Sequence, residues 1–214
     1  MTITARLHLL LLLAVLLLIF TDVTVAAPLD KTAMNTDEIE RAIVAGGCFW
    51  CMEPPFEKLV GVLEVISGYT GGQERNPTYR QVSAGITGHT EAVEIRFDPQ
   101  RISYKEILSV FWRVMDPTDA DGQFVDRGKQ YRPGIYPLND QQMTQALESK
   151  RELEALDRFS KPIVVEIVPV TEFYPAEEYH QDYYKKNPIR YKYYRYGSGR
   201  DRYLDDVWGE GREH

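Results

Sequence analysis

Cys48 and Cys51 are the residues of this 214-residue sequence whose type and spacing most directly suggest chemistry. A predicted helix follows them, and the free N–H groups at a helix start favour a thiolate, the nucleophilic form of cysteine, at Cys48. If the segment is coiled, the two α-carbons lie about 5–6 Å apart, within disulfide range, whereas an extended segment separates them by roughly 10 Å. The pair therefore predicts a nucleophile with a resolving thiol beside it. The alternatives are an inert buried pair and half of a four-ligand zinc site.

Glu91 is the second residue with predicted chemistry. The segment 90–98 alternates like a strand, and Glu91 shares one face with Val93, Ile95 and Phe97. A carboxyl group on an apolar face is desolvated, which raises its pKa and keeps it protonated near neutral pH. Such a group can act as a general acid. The alternative is that the strand phase breaks at Glu91 and leaves it solvated.

Two aromatic residues, Phe49 and Trp50, separate the cysteines. Aromatic rings beside a nucleophile can form an apolar pocket for a methyl group and contact sulfur favourably. The alternative is that both are ordinary core residues.

Strands and helices that interleave without a strict βαβ rhythm must position these residues. The predicted fold is α+β: a mixed-sheet α/β sandwich with a ferredoxin-like core and a long irregular C-terminal segment. The predicted strands cover 42–45, 62–69, 90–98, 134–137 and 163–170. The predicted helices cover 52–59, a segment that begins at 104 and is ended by Asp116-Pro117, 140–156 and 176–186, and a long loop covers 117–134. The start of the first helix is predicted near 52–54, because proline is tolerated in the first turn of a helix but not in its interior, and Pro54 and Pro55 lie there.

The N-terminus has the order of a secretory signal: a positive Arg6, an apolar run from Leu9 to Phe20, and small residues ending at Ala26. We predict a signal peptide over 1–26, a linker over 27–40 and a catalytic domain over 41–214. The protein is then exported, either to a periplasm or to the outside of the cell. The alternative is an uncleaved membrane anchor, although the run is short for a span of roughly 20 residues.

The composition excludes several classes of protein. Hydrophobic residues make up 43% and charged residues 27%, which is typical of a globular domain. The net charge of −7 argues against a duplex-binding surface, which needs a basic excess. Basic residues and tyrosines alternate from Lys185 to Arg202 and allow stacking on single strands as an alternative, but a partly packed C-terminal segment is favoured. A disulfide between two cysteines three positions apart closes a very short loop and removes little conformational freedom from the unfolded chain. The spacing of Cys48 and Cys51 therefore favours a chemical role over a structural disulfide.

Several motifs, in order, resemble the type A peptide methionine sulfoxide reductases, in a variant with adjacent cysteines. The resemblance covers about residues 41–190. It rests on Gly47-Cys48-Phe49-Trp50 with Glu53 and Phe56, Gly68-Tyr69-Thr70-Gly71-Gly72, Asn76-Pro77-Thr78-Tyr79, Gly88-His89-Thr90-Glu91-Ala92-Val93, Phe111-Trp112 with Asp116-Pro117, Asp126-Arg127-Gly128, Gln130-Tyr131-Arg132, Ile135-Tyr136 and Glu178-Tyr179-His180-Gln181.

The resemblance implies a role for each site residue. Cys48 attacks the sulfoxide sulfur, and Glu91 protonates the sulfoxide oxygen. Tyr79 and Tyr131 hydrogen-bond that oxygen, while Asp126 shapes the polar side of the site. The methyl group of the substrate is caged by Phe49 and Trp50.

The resemblance also implies the rest of the cycle. Cys48 becomes a sulfenic acid, a second thiol forms a disulfide with it, and a thioredoxin-like partner or dithiothreitol reduces that disulfide. Many members of the family have glycine at the position of Cys51 and a recycling cysteine near the C-terminus. No cysteine follows Cys51 in this sequence, so the recycling thiol is either Cys51 or an external one, and our hypothesis is that Cys51 resolves. The resemblance implies the S epimer of free or protein-bound methionine sulfoxide as substrate, and no metal or organic cofactor. Nothing in the sequence sets the oligomeric state, for which a monomer is the default.

Two other functions are alternatives to sulfoxide reduction for a chain with this cysteine pair. A thioredoxin-like dithiol oxidoreductase also has two cysteines at a helix start, but it exchanges disulfides and leaves sulfoxides unchanged. A non-catalytic module that binds oxidised methionine needs another explanation for Glu91. Sulfoxide turnover with a small dithiol distinguishes all three.

Overall fold

The structure, a computed structural model, describes residues 39–209. The predicted signal peptide over 1–26 and nearly all of the predicted linker lie outside the described residues. Within them, no helix is long and apolar enough to cross a membrane.

A six-stranded mixed sheet organises the described residues, with the strand order β7-β6-β1-β3-β2-β8. Only the β6–β7 pair is parallel, and the other neighbours are antiparallel. Its strands are β1 (Glu40–Ala45), β2 (Val62–Thr70), β3 (Thr90–Phe97), β6 (Gly134–Ile135), β7 (Glu166–Ile167) and β8 (Phe173–Pro175). A separate two-stranded ribbon pairs β4 (Gly122–Gln123) with β5 (Asp126–Arg127).

Seven α-helices connect or flank these strands in the described part of the chain. They are α1 (Phe49–Glu57), α2 (Tyr79–Ser83), α3 (Tyr104–Trp112), α4 (Asp140–Ala155), α5 (Tyr183–Lys186), α6 (Pro188–Gly197) and α7 (Arg200–Trp208). Two short 3₁₀ turns cover Lys129–Tyr131 and Glu178–His180.

The centre of the fold confirms the predicted α+β class and its ferredoxin-like core. This core consists, in chain order, of β1, α1, β2, β3, α3 and β6, with α2 inserted before β3 and the β4–β5 ribbon before β6. Its four strands lie in the spatial order β6-β1-β3-β2. The helices α1 and α3 are the two connections that cross the sheet. The cysteines therefore lie where β1 passes into α1, at one edge of this core.

Alternation along β1 and β3 divides the apolar residues between the two faces of the sheet. Val93 and Ile95 of β3 belong to the large cluster that includes Phe49 and Phe56 of α1, whereas Ala92 belongs to the cluster on the other face. Burial of each large apolar side chain contributes about 1.5–3 kcal/mol. This packing fixes α1, and with it Cys48, against the strand that holds Glu91.

The predicted start of the first helix was wrong by one turn. The helix begins at Phe49, and Pro54 and Pro55 lie inside it. A proline removes the hydrogen bond to the carbonyl four residues earlier, which for Pro55 is that of Cys51. That carbonyl accepts a hydrogen bond of 3.2 Å from Nη1 of Arg195 instead. A hydrogen bond from a residue distant in sequence therefore satisfies the Cys51 carbonyl and allows the helix to begin at Phe49. The local sequence does not reveal this partner.

The predicted strand over 163–170 was too long, since only Glu166–Ile167 pairs as a strand. The residues after it contact the chain near β6 through single backbone hydrogen bonds: the Val168 N–H donates to the Ile135 carbonyl, and the Val170 N–H donates to the Pro137 carbonyl. The strand Phe173–Pro175 was not predicted. Strands as short as these carry no readable alternation.

The predicted irregular C-terminal segment is instead helical over Pro188–Gly197 and Arg200–Trp208. Pro188 occupies the first turn of α6, where its fixed φ suits a helix start. Gly199, at φ +76°, separates α6 from α7. The many aromatic residues obscured these start and stop signals.

Candidate active site

Cys48 occupies the N-cap position of α1, and Cys51 lies in the first turn. The Cys51 N–H donates a hydrogen bond of 3.0 Å to the Cys48 carbonyl, so the segment is coiled as disulfide formation requires. Cys48 is 6% exposed, Cys51 is fully buried, and both thiols are free. Cys48 is therefore the cysteine that a ligand can reach.

The two thiols differ in acidity. Burial raises the pKa of Cys48, and its thiol is hydrogen-bonded to Cys51. That hydrogen bond is also the largest cause that lowers the pKa of Cys51, to about 6. These opposite shifts favour a negative charge on Cys51 over one on Cys48, with Cys48 as the donor of the hydrogen bond between them. The helix N-terminus favours a thiolate at Cys48, as predicted from the sequence, whereas desolvation of this buried sulfur acts in the opposite direction.

Glu91 lies on β3 with its carboxyl group at the start of α1. It is 1% exposed, and its Oε2 accepts a hydrogen bond of 3.1 Å from the Phe49 N–H. Burial raises the pKa of Glu91 to about 8, and the Phe49 N–H offsets this only in part. A neutral carboxylic acid is thus held next to Cys48, as the strand phase predicted. The alternative of a solvated strand end does not fit this burial.

Aromatic rings surround the buried side of Cys48. The Phe49 ring lies 6.0 Å from that of Tyr69, 6.4 Å from that of Tyr79 and 4.9 Å from that of His180, centroid to centroid. Phe49 is fully buried, so it forms part of the apolar core as well as a wall of the site.

Trp50 is only partly buried and is held by three neighbours. It stacks on Tyr183 at 3.7 Å with an angle of 4° between the rings, and it meets the Tyr194 ring edge-on at 5.9 Å. Its Nε1 donates a hydrogen bond of 3.1 Å to Nδ1 of His180. Because His180 accepts at Nδ1 and desolvation lowers its pKa to about 4, it is neutral and orients the indole.

Tyr79 and Tyr131 both lie near Glu91 and Cys48, half-buried. Burial raises both pKa values, that of Tyr79 to about 12, and the charges of Glu91 and Cys48 raise them further. The loop of Tyr131 is attached to β3 by the Thr90 hydroxyl, which lies 3.1 Å from the Gln130 carbonyl oxygen. Within residues 39–209 neither tyrosine hydroxyl has a hydrogen-bond partner, so both can donate to a ligand.

Asp126 lies on β5 on the polar side of the site. The hydroxyl of Tyr194 donates a hydrogen bond of 2.5 Å to its Oδ2. Burial raises the pKa of Asp126, and its charge raises the pKa values of Glu91 and Cys48 in turn. The structure thus brings together all eight site residues that the sequence singled out.

Several residues of the C-terminal helices also contact this site and were not predicted from the sequence. Tyr194 holds Asp126, Arg195 holds the Cys51 carbonyl, and Arg200 packs behind the cysteines. The Asn-Pro pair before these helices could have indicated a helix start. Nothing in the sequence, however, indicates that the polar and aromatic side chains that follow it reach this site.

The half-zinc alternative has no support from the donor set. In the described residues, the one group of three side chains placed to hold a metal is Glu53, Glu57 and Asp182, and it includes neither cysteine. The site offers instead a thiol pair, a neutral carboxylic acid and two free hydroxyl donors.

The model of the family described as "Peptide methionine sulfoxide reductase" matches residues 40–212. The chain belongs to this family. A peptide methionine sulfoxide reductase MsrA of Listeria welshimeri is 53% identical over 175 residues, which are 82% of this chain and 99% of that protein. A protein of Vibrio cholerae named peptide methionine sulfoxide reductase MsrA/MsrB is 51% identical over 189 residues, 88% of this chain, and the match spans about half (49%) of that longer relative.

A solved structure of the same family has the same fold. Methionine sulfoxide reductase A of Corynebacterium diphtheriae superposes with a TM-score of 0.67 at 34% identity, over 72% of this chain and 78% of that one. The family membership that the sequence motifs indicated is thereby confirmed.

Proposed function

We propose that this protein reduces methionine-S-sulfoxide, free or within proteins, to methionine with thiols as the source of electrons. The proposal rests on one observation: Cys48 and the protonated Glu91 lie together at the start of α1, where the N–H of Phe49, the residue after Cys48, donates a hydrogen bond to the Glu91 carboxyl group. Membership of the reductase family supports it. The site combines a nucleophile for the sulfoxide sulfur with an acid for the sulfoxide oxygen.

In the first step, Cys48 attacks the sulfoxide sulfur. The hydrogen bond to Cys51 gives the Cys48 proton a place to go, since the Cys51 thiolate can accept it as attack begins. Glu91 donates its proton to the oxygen, and the hydroxyls of Tyr79 and Tyr131 stabilise the charge that develops there. Phe49 and Trp50 enclose the methyl group.

The step releases methionine and leaves Cys48 as a sulfenic acid. Cys51 then attacks that sulfur, a Cys48–Cys51 disulfide forms, and the hydroxyl group leaves as water. The coiled segment and the buried position of Cys51 support this pairing. An external thiol, from a thioredoxin-like protein or dithiothreitol, reduces the disulfide by exchange. The cycle requires neither a metal nor an organic cofactor, and oxidised proteins and the reductant are its partners.

The apolar run at the N-terminus supports export of the protein, to a periplasm or the outside, with no stable membrane contact after cleavage at Ala26. A monomer is the proposed working form. Mass spectrometry of the protein isolated from its cell tests the cleavage site, and an intact N-terminus at Met1 contradicts it.

The test of the reaction gives the protein separated S and R epimers of a methionine sulfoxide peptide with dithiothreitol. Methionine release from the S epimer alone is expected, and Cys48→Ser abolishes it. Release from neither epimer by a folded protein contradicts the proposal and favours disulfide exchange or sulfoxide binding without turnover.

A further inference from the structure

Arg200 is a buried charged side chain that the reaction steps above do not use. It lies in the first turn of α7 and is 1% exposed. Its Nη1 donates a hydrogen bond of 2.6 Å to the Val114 carbonyl, and its Nη2 donates one of 3.0 Å to the Gly46 carbonyl. Both acceptors are neutral, so neither balances the positive charge.

No carboxylate of residues 39–209 forms a salt bridge with Arg200. Its Nε is buried without a hydrogen-bond partner, and its guanidinium lies over the Phe124 ring at 4.6 Å. An aromatic face offsets part of a cationic charge, but a buried ion without an anion remains costly. An anion close to Arg200 would remove that cost.

The guanidinium lies directly behind the two cysteines. It contacts the Gly46 carbonyl before them and approaches Sδ of Met52 after them at 3.9 Å. A Cβ atom added to Gly47 would lie 2.9 Å from its Nη2, which leaves no space for a side chain between Arg200 and this turn. The turn and Arg200 are therefore packed as one unit.

Arg195 lies on the same side but differs in its charge balance. Its guanidinium pairs with Asp201 at 2.8 Å while it donates to the Cys51 carbonyl. Arg195 thus positions the backbone of Cys51, and its charge is largely compensated by Asp201. Arg200 has no such ion pair in residues 39–209, and the Asp126 carboxyl, whose pKa the charge of Arg200 lowers, interacts with it only from further away.

Titratable groups from several elements face Cys51. They are Cys48 of the same turn, Glu91 of β3, Asp126 of β5, Tyr191, Tyr194 and Arg195 of α6, and Arg200 of α7. The hydrogen bond from Cys48 contributes most to the low pKa of Cys51, followed by Arg200 and then Arg195, whereas burial and Asp126 oppose it. Glu91 is neutral below about pH 8 and leaves this balance unchanged.

We propose that Arg200 is a positioning residue whose buried guanidinium is the counter-charge of a Cys51 thiolate, so that Cys51 is prepared to attack oxidised Cys48. The proposal rests on the proposed function for the origin of the Cys48 sulfenic acid. In the step itself, Cys51 gives up the proton that it took from Cys48 and attacks as the thiolate: the S–S bond forms, the S–O bond of Cys48 breaks, and the leaving hydroxide takes up that proton to become water. Sulfur oxidation is redistributed between the two cysteines, and no further oxidant is consumed.

The first experiment follows the ultraviolet absorbance of the thiolate while the reduced full chain is titrated with base. In Arg200→Gln the Cys51 midpoint rises by about one pH unit or more, a tenfold loss of acidity or greater. Arg200→Lys, which keeps the charge, retains most of the shift. Arg202→Gln removes an exposed charge from the same helix and titrates like the wild type. A folded Arg200→Gln protein with the wild-type midpoint overturns the proposal.

A second titration does not depend on the folding of an Arg200 variant. Cys48→Ser keeps a hydroxyl donor and leaves Cys51 as the only thiol. Its midpoint stays well below the ordinary cysteine value of about 8.5 if Arg200 stabilises the thiolate. A midpoint at or above that value overturns the proposal.

A single-turnover experiment separates this proposal from the proposed function. The oxidised peptide is mixed with reduced enzyme without external thiol, and methionine and disulfide are measured with time. Arg200→Gln still releases methionine but forms the disulfide about tenfold more slowly at about pH 5, below both midpoints, in proportion to its lost thiolate. Disulfide formation at the wild-type rate contradicts the role of Arg200. Failure of the wild type to release methionine contradicts the proposed function and leaves the titration result standing.

Discussion

The backbone N–H of Phe49 donates a hydrogen bond of 3.1 Å to Oε2 of Glu91, a side chain 42 positions further along the chain. This bond joins the first residue of α1 to a buried position of β3. It places a carboxylic acid beside Cys48, the N-cap residue. Because burial keeps that acid protonated, the nucleophile and the proton donor are held together before any ligand arrives.

Replacing Glu91 with Gln tests the acid directly. Gln retains an oxygen that can accept the Phe49 N–H bond, but it has no acidic proton. We expect the rate of S-sulfoxide reduction under dithiothreitol to fall about 10²–10⁴-fold, the range for loss of a general acid. The wild-type rate should decline as pH rises through about 8, where Glu91 ionises, and the variant should lack that limb. A residual rate close to the wild type assigns the proton to another group.

Glu91 also makes a prediction about stability. Its folded pKa of about 8 exceeds the ordinary value, so the folded protein binds more protons than the unfolded chain between about pH 4.5 and 8. Stability contributed by the protonated acid is therefore full at low pH and is lost as pH rises through this window. Relative to Glu91→Gln, the wild type should lose a few kcal/mol (~1.4 kcal/mol per pKa unit) between pH 5 and 9 in urea unfolding. A constant difference between the two proteins contradicts the raised pKa.

Cys51→Ser tests the resolving role. The variant should still release one equivalent of methionine per enzyme because Cys48 remains, but more slowly than the wild type because the thiolate that accepts the Cys48 proton is gone. Its sulfenic acid then persists, and a sulfenic-acid-trapping reagent should label Cys48. Turnover driven by thioredoxin should stop because no disulfide forms. Cys48→Ser, which removes the nucleophile, serves as the control without any methionine release. Full thioredoxin-driven turnover in Cys51→Ser shows that Cys51 does not resolve.

The acid and the nucleophile could be predicted because each followed a local rule. Strand alternation placed Glu91 with Val93 and Ile95, and the turn after a strand placed Cys48 at a helix start. Three side chains of the C-terminal helices could not be predicted, because their partners lie far away in sequence. Arg195, for example, contacts the Cys51 carbonyl across 144 positions. The same contact compensates for Pro55 and explains why the helix start was misplaced.

The acidity of the cysteines could not be predicted either. A helix N-terminus favours a thiolate at Cys48, but burial of its sulfur acts in the opposite direction and has the larger effect. Cys51 receives the charge because it accepts a hydrogen bond and faces Arg200. Which of two neighbouring thiols ionises depends on distances and burial that spacing alone does not contain.

The hydrogen bond from Nε1 of Trp50 to Nδ1 of His180 orients the indole ring, and replacing its acceptor tests that role. His180→Leu leaves the indole N–H without its acceptor at a partly buried position, which costs about 1–3 kcal/mol. His180→Gln keeps an acceptor oxygen and should recover much of that loss in urea unfolding at pH 7. Without its orienting bond Trp50 encloses the substrate less well, so the KM for the peptide should rise more than kcat falls in His180→Leu.

The pH dependence of this pair has the opposite sign from that of Glu91. Desolvation lowers the folded pKa of His180 to about 4, so the unfolded chain binds more protons than the folded protein between about pH 4 and 6.5. The wild type should therefore lose stability relative to His180→Gln as pH falls through this window, because the unfolded chain takes up a proton that the buried ring does not. If the difference between the two proteins stays flat from pH 7 to 4, His180 is not held neutral, and the orienting role assigned to its Nδ1 is wrong.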